Sequence, residues 1–326
     1  MKASAGFLHP WRRWIAGAAI VLLTLSPLLL GSDYLRFVAV LILINAIAAT
    51  GVNLSMGYCG LVSVGHAGFL AIGAYSAAFV VAHISTNVVV AILAGAMAAG
   101  LVGLVIGLPT LRLNPLYIAM VTFGFGQATN LVALNWIEVT GGPNGIGVNA
   151  PTIFGIEASS TALYLTAAAL FLASLWVAAC SVQSRLGRAF LAIKESEIAA
   201  RSMGIPVERY KMIAFAMSSI MGGAAGGMYA LVSGYVNPDA FVFQVSVLLV
   251  TMCVAGGLGR LSGPIIGAVI LTVLPELLRP FAEYRELFSG IILLGFLVLM
   301  PRGLASLIAR WLGAVRAERR PAGSGA

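Results

Sequence analysis

Long apolar runs are the feature of this sequence that most constrains its fold. A helix needs about 20 mainly apolar residues to cross the hydrocarbon core of a membrane. The sequence contains ten candidate segments, at residues 14–30, 35–54, 60–83, 87–108, 116–137, 161–181, 211–234, 243–257, 263–279 and 287–303. The eighth and ninth are short and flank a glycine-rich stretch, so they could also be one re-entrant element, and eight or nine spans stay open as alternatives. We predict an all-α, polytopic transmembrane helix bundle with some discontinuous helices, in one domain of residues 1–326.

The composition excludes several classes of protein. Hydrophobic residues make up 60% of the chain and charged residues 9%, and the mean hydropathy is +1.01. A soluble domain of this size needs far more polar surface. A soluble enzyme, a nucleic-acid binder and a disordered scaffold are therefore excluded, and membrane lipid is the expected surrounding. The cysteines Cys59, Cys180 and Cys253 lie far apart with no C-x-x-C pair, which argues against a disulfide framework or a metal site.

The distribution of charge predicts the orientation of the segments. Arg12 and Arg13 precede the first apolar run, and residues 28–31 offer no small-x-small cleavage site, so an uncleaved anchor is favoured over a signal peptide. With the N-terminus inside and ten alternating spans, every basic residue falls on the inner side except Arg36, Arg279 and Arg285. Because Lys and Arg collect on the cytoplasmic side, we predict that both termini, as tails 1–13 and 306–326, are cytoplasmic.

The sequence contains no recognisable catalytic constellation. Serine, histidine and acidic residues do not cluster, and the dipeptide Gly-Lys of a phosphate-binding loop does not occur. We therefore expect no enzymatic activity, no metal and no cofactor bound by this chain. Carboxylates are also absent from the middle of the predicted spans, where a proton-driven carrier would place a titrating group.

An interrupted span between residues 53 and 69 is the best candidate for a passage region. Its glycines would let a helix unwind, and polar groups at that depth should face the bundle interior or a cavity. A G-x-x-G-x-x-S pattern at residues 57–63 recurs at 256–262 and hints at an internal repeat. A packed histidine with satisfied hydrogen bonds is an equal alternative for His66. The residues predicted to line a path are polar or aromatic positions within interrupted spans, namely Asn53, Ser63, His66, Phe69 and Gln127.

Glycine pairs four residues apart recur inside the spans, as at Gly222/Gly226 and Gly223/Gly227. Helices approach closely where a Cβ atom is missing, which is how membrane helices associate. These pairs predict close internal packing; the alternative is that some of these glycines line a path or face a second membrane subunit.

The inner connection 182–210 is too polar to span. Nothing interrupts a helix between Ala189 and Met203, and Gly204 and Pro206 stop it. Such a helix either lies on the membrane surface or is held by a partner.

Several short motifs follow one another along the chain. They are Gly-Tyr-x-Gly…Ser-x-Gly-His-Ala at 57–67, Thr140-Gly141-Gly142-x-Asn144-Gly145-Ile146, Ser184-Arg185-x-Gly187-Arg188, Lys194-Glu195-x-Glu197, Gly256-Gly257-x-Gly259…Gly263-Pro264-x-x-Gly267-Ala268 and Pro301-Arg302-Gly303-Leu304. Together they resemble the branched-chain amino-acid ABC permease family. The match covers about residues 35–305 and most resembles the longer of that family's two permease partners. The core 197–204 also resembles the Glu-Ala-Ala…Gly docking loop of ABC importer permeases, with one extra residue after the glutamate.

The resemblance implies a permease subunit of an ATP-driven importer in the bacterial cytoplasmic (inner) membrane. The implied solutes are leucine, isoleucine and valine, or related small solutes such as urea, amides or aromatic acids. The implied partners are a second homologous permease, two ATP-binding subunits that use ATP and Mg, and a periplasmic or extracellular solute-binding protein. A self-sufficient channel or facilitator is the alternative, and such a protein would not need the polar segment 185–205.

Two contact sites are expected, one for the ATPases in the docking segment and one for the solute-binding protein in the outer loop, whose glycines permit a tight fold and whose exposed backbone can bond a partner. The expected ATPase-coupling residues are Arg185, Gly187, Arg188, Glu195, Glu197, Ala199, Ala200 and Gly204. The glycine-rich outer loop is the expected contact for the solute-binding protein, although a plain connector is an equal alternative. Its residues are Gly141, Gly142, Asn144 and Gly145.

Overall fold

The computed structural model describes residues 32–110, 115–153 and 155–277, together with residue 290. Within these residues the architecture is helical, with eleven α-helices. They are α1 (Asp33–Val52), α2 (His66–His83), α3 (Val88–Thr110), α4 (Pro115–Asn135), α5 (Ile137–Thr140), α6 (Ser160–Gln183), α7 (Arg185–Glu195), α8 (Glu197–Ser202), α9 (Val207–Ser233), α10 (Phe243–Gly256) and α11 (Ser262–Leu277).

Short irregular elements connect these helices. One π-helical turn, Asn53–Tyr58, prolongs α1, and 3₁₀ turns occupy Gly142–Asn144 and Pro238–Phe241. Four two-residue strands form two antiparallel pairs, which the sequence did not predict: β1 (Ile146–Gly147) with β4 (Tyr235–Val236), and β2 (Thr152–Ile153) with β3 (Ile156–Glu157).

Seven helices of the described part are long and apolar enough to cross a membrane. They are Asp33–Tyr58, His66–His83, Val88–Pro109, Tyr117–Asn135, Ser160–Gln183, Val207–Ser233 and Pro238–Gly256. Helix α11 is a shorter apolar helix. The prediction of a polytopic helix bundle is thus confirmed, whereas the count of ten stays a prediction because segments 14–30 and 287–303 lie outside the described residues.

Helix α9 is the central helix of the bundle, packed against α1, α2 and α3. A Cβ atom on Gly226 would lie 2.0 Å from the carbonyl oxygen of Leu70, and one on Gly73 would lie 2.1 Å from that of Gly223. Main chain therefore touches main chain at this crossing, and only glycine fits. The predicted close packing at the glycine pairs of α9 is confirmed.

Helices α10 and α11 form an antiparallel hairpin around the turn 257–261. A Cβ on Gly267 would lie 1.9 Å from the carbonyl oxygen of Met252, and one on Gly256 would lie 1.8 Å from that of Gly263. The eighth and ninth predicted segments are therefore two separate helices in close contact.

Helix α1 runs antiparallel to α11 and is joined to it by polar side chains. The hydroxyl of Tyr34 donates to a carboxylate oxygen of Glu276. The amide of Asn45 donates to the hydroxyl of Thr272 over 3.0 Å. Polar pairs of this kind satisfy groups that lipid cannot.

The connections lie at two opposite ends of the bundle, which we name the loop end and the basic end. The loop end carries the connection from α4 to α6, held to the rest by the β1–β4 pair and by Thr152, whose amide donates to the carbonyl of Thr86 over 2.7 Å. The basic end carries α7, α8 and the turn 257–261. All described basic residues except Arg36 lie at the basic end, whereas Glu138, Glu157 and Asp239 lie at the loop end.

Candidate functional site

The two glycine-rich interruptions, one at residues 53–65 that includes the π-helical turn and one between α10 and α11, meet at the basic end. The side-chain oxygen of Asn53 accepts a hydrogen bond from the amide of Gly259 over 2.9 Å, and its nitrogen donates to the carbonyl of Arg260 over 3.0 Å. A Cβ on Gly57 would lie 2.7 Å from the nitrogen of Gly259. The two copies of the G-x-x-G-x-x-S pattern therefore lie in direct contact, and we name this contact the junction.

A buried polar cluster lies beside the junction. Nε2 of His66 is 2.6 Å from the hydroxyl of Ser218, and Nδ1 is 3.2 Å from that of Ser63. The hydroxyl of Ser55 is 3.3 Å from that of Ser218. All four side chains are buried and both ring nitrogens of His66 have a partner. This geometry matches a packed histidine, the alternative that the sequence leaves open.

Phe69 belongs to a group of aromatic rings that adjoins this cluster, and its ring centroid is 5.7 Å from that of His66. Its ring is 4.8 Å from that of Phe125 and 5.6 Å from that of Phe215, between centroids. Phe69 is fully buried. The structure thus brings Ser63, His66 and Phe69 together inside the chain.

Gln127 lies apart from the other predicted path residues. It is half-buried on α4 and lines a narrow cleft with Phe123, Phe243 and Ser246. Helix α4 has the smallest buried share of the seven spanning helices. Of the five predicted path residues, Gln127 is the one that is partly exposed in this conformation, and the lining role of all five stays a prediction.

The inner connection consists of two short helices, so the predicted uninterrupted helix is wrong at Ser196. The backbone of Ser196 is extended, with φ −162° and ψ 114°, and its hydroxyl accepts from the amide of Ala199 over 3.3 Å. Serine competes for backbone donors in this way and favours helix starts over interiors. The side chain of Ser184 caps the first helix by accepting from the amide of Leu186.

Helices α7 and α8, which we name the coupling segment, are tied to the bundle by one face. Phe190, Ile193 and Ala200 are buried against the chain itself, as is Gly187. Ala200 and Gly187 were predicted to contact a partner, but neither contributes to the exposed surface. The predicted contact residues that are exposed are Arg185, Arg188, Glu195, Ala199 and Gly204.

Glu197 is occupied within the chain. Its carboxylate pairs with the ammonium of Lys211, a lysine that is only 1% exposed. Arg201 pairs with Glu208 over 2.5 Å. The Lys211–Glu197 pair fixes α8 to the start of α9, because removing Glu197 would leave the buried charge of Lys211 uncompensated. The Arg201–Glu208 pair is exposed to solvent and adds little to this attachment.

An exposed apolar surface on the coupling segment is the feature that sequence reasoning missed. Ile198 on α8 is 81% exposed and Met203, directly after α8, is 82% exposed. Leu191 on α7 is also exposed. The apolar spacing of one continuous helix does not predict this surface. The backbone is extended at Ser196, so the faces of α8 do not continue those of α7.

Lys194 makes a long-range contact that the sequence did not predict. The sequence marks this residue only as part of the motif Lys194-Glu195-x-Glu197. Its ammonium donates to the carbonyl of Gly57 over 2.6 Å, at the junction. Since 137 residues separate the two, no local pattern could reveal the contact.

The loop end presents the predicted glycine-rich contact as an ordered turn. Gly141, Gly142 and Gly145 have positive φ values of 72°, 60° and 65°. The hydroxyl of Tyr235 donates to the carbonyl of Asn144. Pro143 and Asn144 are exposed at its tip, whereas Gly142 is buried.

Comparison with known proteins identifies the chain's relatives. The family described as the permease component of the branched-chain amino acid transport system matches residues 34–299. The high-affinity branched-chain amino acid transport system permease protein LivM of Escherichia coli K12 is 35% identical over 82% of this chain and 69% of its own length. LivM of Salmonella typhimurium LT2 has the same identity and coverage.

A more distant relative carries a different name. The autoinducer 2 import system permease protein LsrC of Klebsiella pneumoniae is 30% identical over 69% of this chain and 65% of its own length. No solved structure matches the chain. With seven membrane-length helices and a family match over most of its length, the chain belongs to the family of branched-chain amino acid transport system permease components.

Proposed function

We propose that this chain is the membrane-embedded permease subunit of an ATP-driven importer of leucine, isoleucine, valine or a related small solute. A second permease subunit completes the passage, and two ATPase subunits supply the energy from ATP and Mg. A solute-binding protein delivers the solute at the loop end. Both termini then lie in the cytoplasm, on the side of the basic end.

The exposed apolar surface of the coupling segment is the observation that carries this proposal. Ile198 and Met203 are almost fully exposed on a segment whose opposite face is buried in the bundle. A basic surface that merely lay on lipid headgroups would need no ordered pair of helices fixed by the Lys211–Glu197 pair. A partner protein that covers Ile198 and Met203 accounts for both features.

The placement of charge supports an energy source outside this chain. In the seven described spanning helices, the acidic residues Asp33, Glu208 and Asp239 all lie in the first turn of their segment. Coupling to a proton gradient uses titrating groups at membrane depth. Hydrolysis of ATP by attached subunits needs none.

The loop end is suited to receive a solute-binding protein. Its tip at Pro143 and Asn144 projects from a turn that backbone pairing holds in place, so docking orders little additional chain. The solute then enters between the two permeases, where Gln127 on the little-buried helix α4 is the candidate lining residue.

Reconstitution tests the proposal. The chain is purified with the second permease and the ATPases encoded beside it, and placed in liposomes with ATP inside and the solute-binding protein outside. Uptake of labelled leucine, isoleucine, valine, urea and an aliphatic amide is compared with and without ATP. We expect uptake of at least one solute that needs both ATP and the binding protein. Passive flux through this chain alone would instead establish the channel alternative.

A further inference from the structure

One lysine at the end of α7 touches both interruptions of the junction. Nζ of Lys194 donates to the carbonyl of Gly57 over 2.6 Å. The aliphatic stem crosses Gly60, where an added Cβ would lie 3.3 Å from Cγ of Lys194. A Cβ on Gly259 would lie 3.7 Å from the same Nζ. Gly57 and Gly60 belong to the first interruption and Gly259 to the second.

The electrostatics of the junction favour a cation at this position. Two helix C-termini lie at the junction, where the π-helical turn ends at Tyr58 and α10 ends at Gly256, and α11 begins on the far side of the turn, at Ser262. The last carbonyls of a helix also lack partners within the helix. Lysine supplies three donors and a full positive charge, and its hydrogen bond to a carbonyl is charge-assisted.

The coupling segment thus has two separate attachments. Helix α8 is tied to α9 by the pairs of Glu197 with Lys211 and Arg201 with Glu208. Helix α7 is tied to the junction by Lys194. Asn53 in turn bonds the two interruptions to each other, so a displacement of one carries the other.

We propose that Lys194 is the positioning residue through which movement of the coupling segment reaches the interrupted helices. This inference rests on the proposed function and adds to it the route of coupling. When an ATPase displaces α7, the ammonium moves the carbonyl of Gly57, and the junction shifts as one unit through Asn53.

Lys194→Met and Lys194→Arg test the role in the complete reconstituted complex. Methionine keeps the stem across Gly60 but lacks the ammonium, whereas arginine keeps the charge and the donors. Arg209→Met is the matched control, since Arg209 is an exposed cation at the basic end outside the coupling segment. Solute uptake and ATP hydrolysis are measured in the same vesicles.

Lys194→Met is expected to retain the ATPases and at least half of the hydrolysis stimulated by the binding protein. Its uptake per ATP should fall at least tenfold. Lys194→Arg should recover most of that ratio, and Arg209→Met should match the wild type. A merely structural role would lower uptake and hydrolysis together and leave their ratio unchanged, and that result overturns the inference.

Hydrogen exchange on the wild-type complex decides the matter if Lys194→Met fails to assemble. ATP should alter amide exchange at residues 57–61 and 257–261 together, along with α7. A change in α7 without a change at either interruption overturns the inference. If uptake by the wild type does not depend on ATP, both the proposed function and this inference are wrong. If uptake is driven by ATP but Lys194→Met leaves the uptake per ATP unchanged, only this inference is wrong.

Discussion

The side chain of Asn53 accepts a hydrogen bond from the backbone amide of Gly259, a residue 206 positions further along the chain. The same side chain donates to the carbonyl of Arg260. One amide group therefore satisfies a donor and an acceptor that a broken helix leaves without helical partners. Asn53 was predicted to line a path, and in this conformation it joins two interruptions inside the protein.

Replacement of Asn53 by alanine should destabilise the fold. The amide of Gly259 would lose its acceptor in a part-buried site, which costs about 1–3 kcal/mol. The melting temperature in detergent should fall for Asn53→Ala. Asn135→Ala is the control, since Asn135 is exposed and bonds only its own helix, at Leu131. Equal melting temperatures for the two variants would contradict the clamp role.

The glycine crossing predicts opposite effects for two helical glycines. In Gly226→Ala the new methyl would lie 2.0 Å from the carbonyl oxygen of Leu70, so α2 and α9 must separate. Overpacking of this kind costs about 1–3 kcal/mol or more. Gly124 on α4 has no atom within 4 Å of the added methyl, so Gly124→Ala should be neutral or stabilising by up to about 1 kcal/mol. The yield of monodisperse protein on size exclusion and the melting temperature distinguish the two variants. A Gly226→Ala variant as stable as the wild type would contradict the contact between Gly226 and the backbone of Leu70.

Thiol labelling tests the predicted path. In a Cys180→Ser background, which removes the exposed native cysteine, Gln127→Cys should react with a water-soluble thiol reagent. Ser63→Cys, His66→Cys and Phe69→Cys should stay protected in the resting state because these positions are fully buried. If these three cysteines stay unlabelled when ATP and solute are added, their positions do not line the path. If Gln127→Cys stays unlabelled in every condition, Gln127 does not line it either.

The exposed apolar surface predicts where an ATPase is held. Ile198→Asp and Met203→Asp place a charge at an apolar contact while leaving the buried face of the coupling segment intact. Retention of the ATPases during purification should fall by at least about tenfold. Ile84→Asp is the control, since Ile84 is also an exposed apolar residue, at 69%, but lies at the loop end. Full retention in the double variant would exclude this surface as the contact.

The tip of the loop end predicts a contact with the solute-binding protein. Asn144→Trp adds bulk at an exposed position without touching the buried Gly142. Stimulation of ATP hydrolysis by the binding protein should drop several-fold, while basal hydrolysis and assembly stay normal. Glu157→Trp, at an exposed site in β3 of the same connection, serves as the comparison. Stimulation that is reduced equally in both variants would point to a general effect of the loop and not to Asn144.

The sequence predicts the membrane helices well because lipid imposes one simple requirement. About 20 apolar residues and a satisfied backbone suffice to define a span, and seven predicted segments appear as membrane-length helices. The break at Ser196 was not predicted, because serine occurs both inside helices and at their starts. Only the structure shows that its hydroxyl accepts from the amide of Ala199 and so begins a new helix.

Long-range contacts account for the rest of what the sequence could not predict. His66 and Ser218 are 152 residues apart, so a single sequence cannot show that the imidazole is satisfied. The same holds for Lys194 and Gly57. Residue type indicated that these positions matter, but only their packing shows whether they bind one another or remain available to a solute.

The bonds between α1 and α11 also bear on the order of biosynthesis. Asn45 on α1 finds its acceptor in Thr272, 227 residues later. Until the ribosome has delivered α10 and α11, the amides of Asn45 and Asn53 have neither of these partners, and exposure of such groups to lipid is costly. A nascent chain that stops before residue 260 should therefore linger at the insertion machinery. Release of α1 into the bilayer then waits until α10 and α11 have supplied these partners.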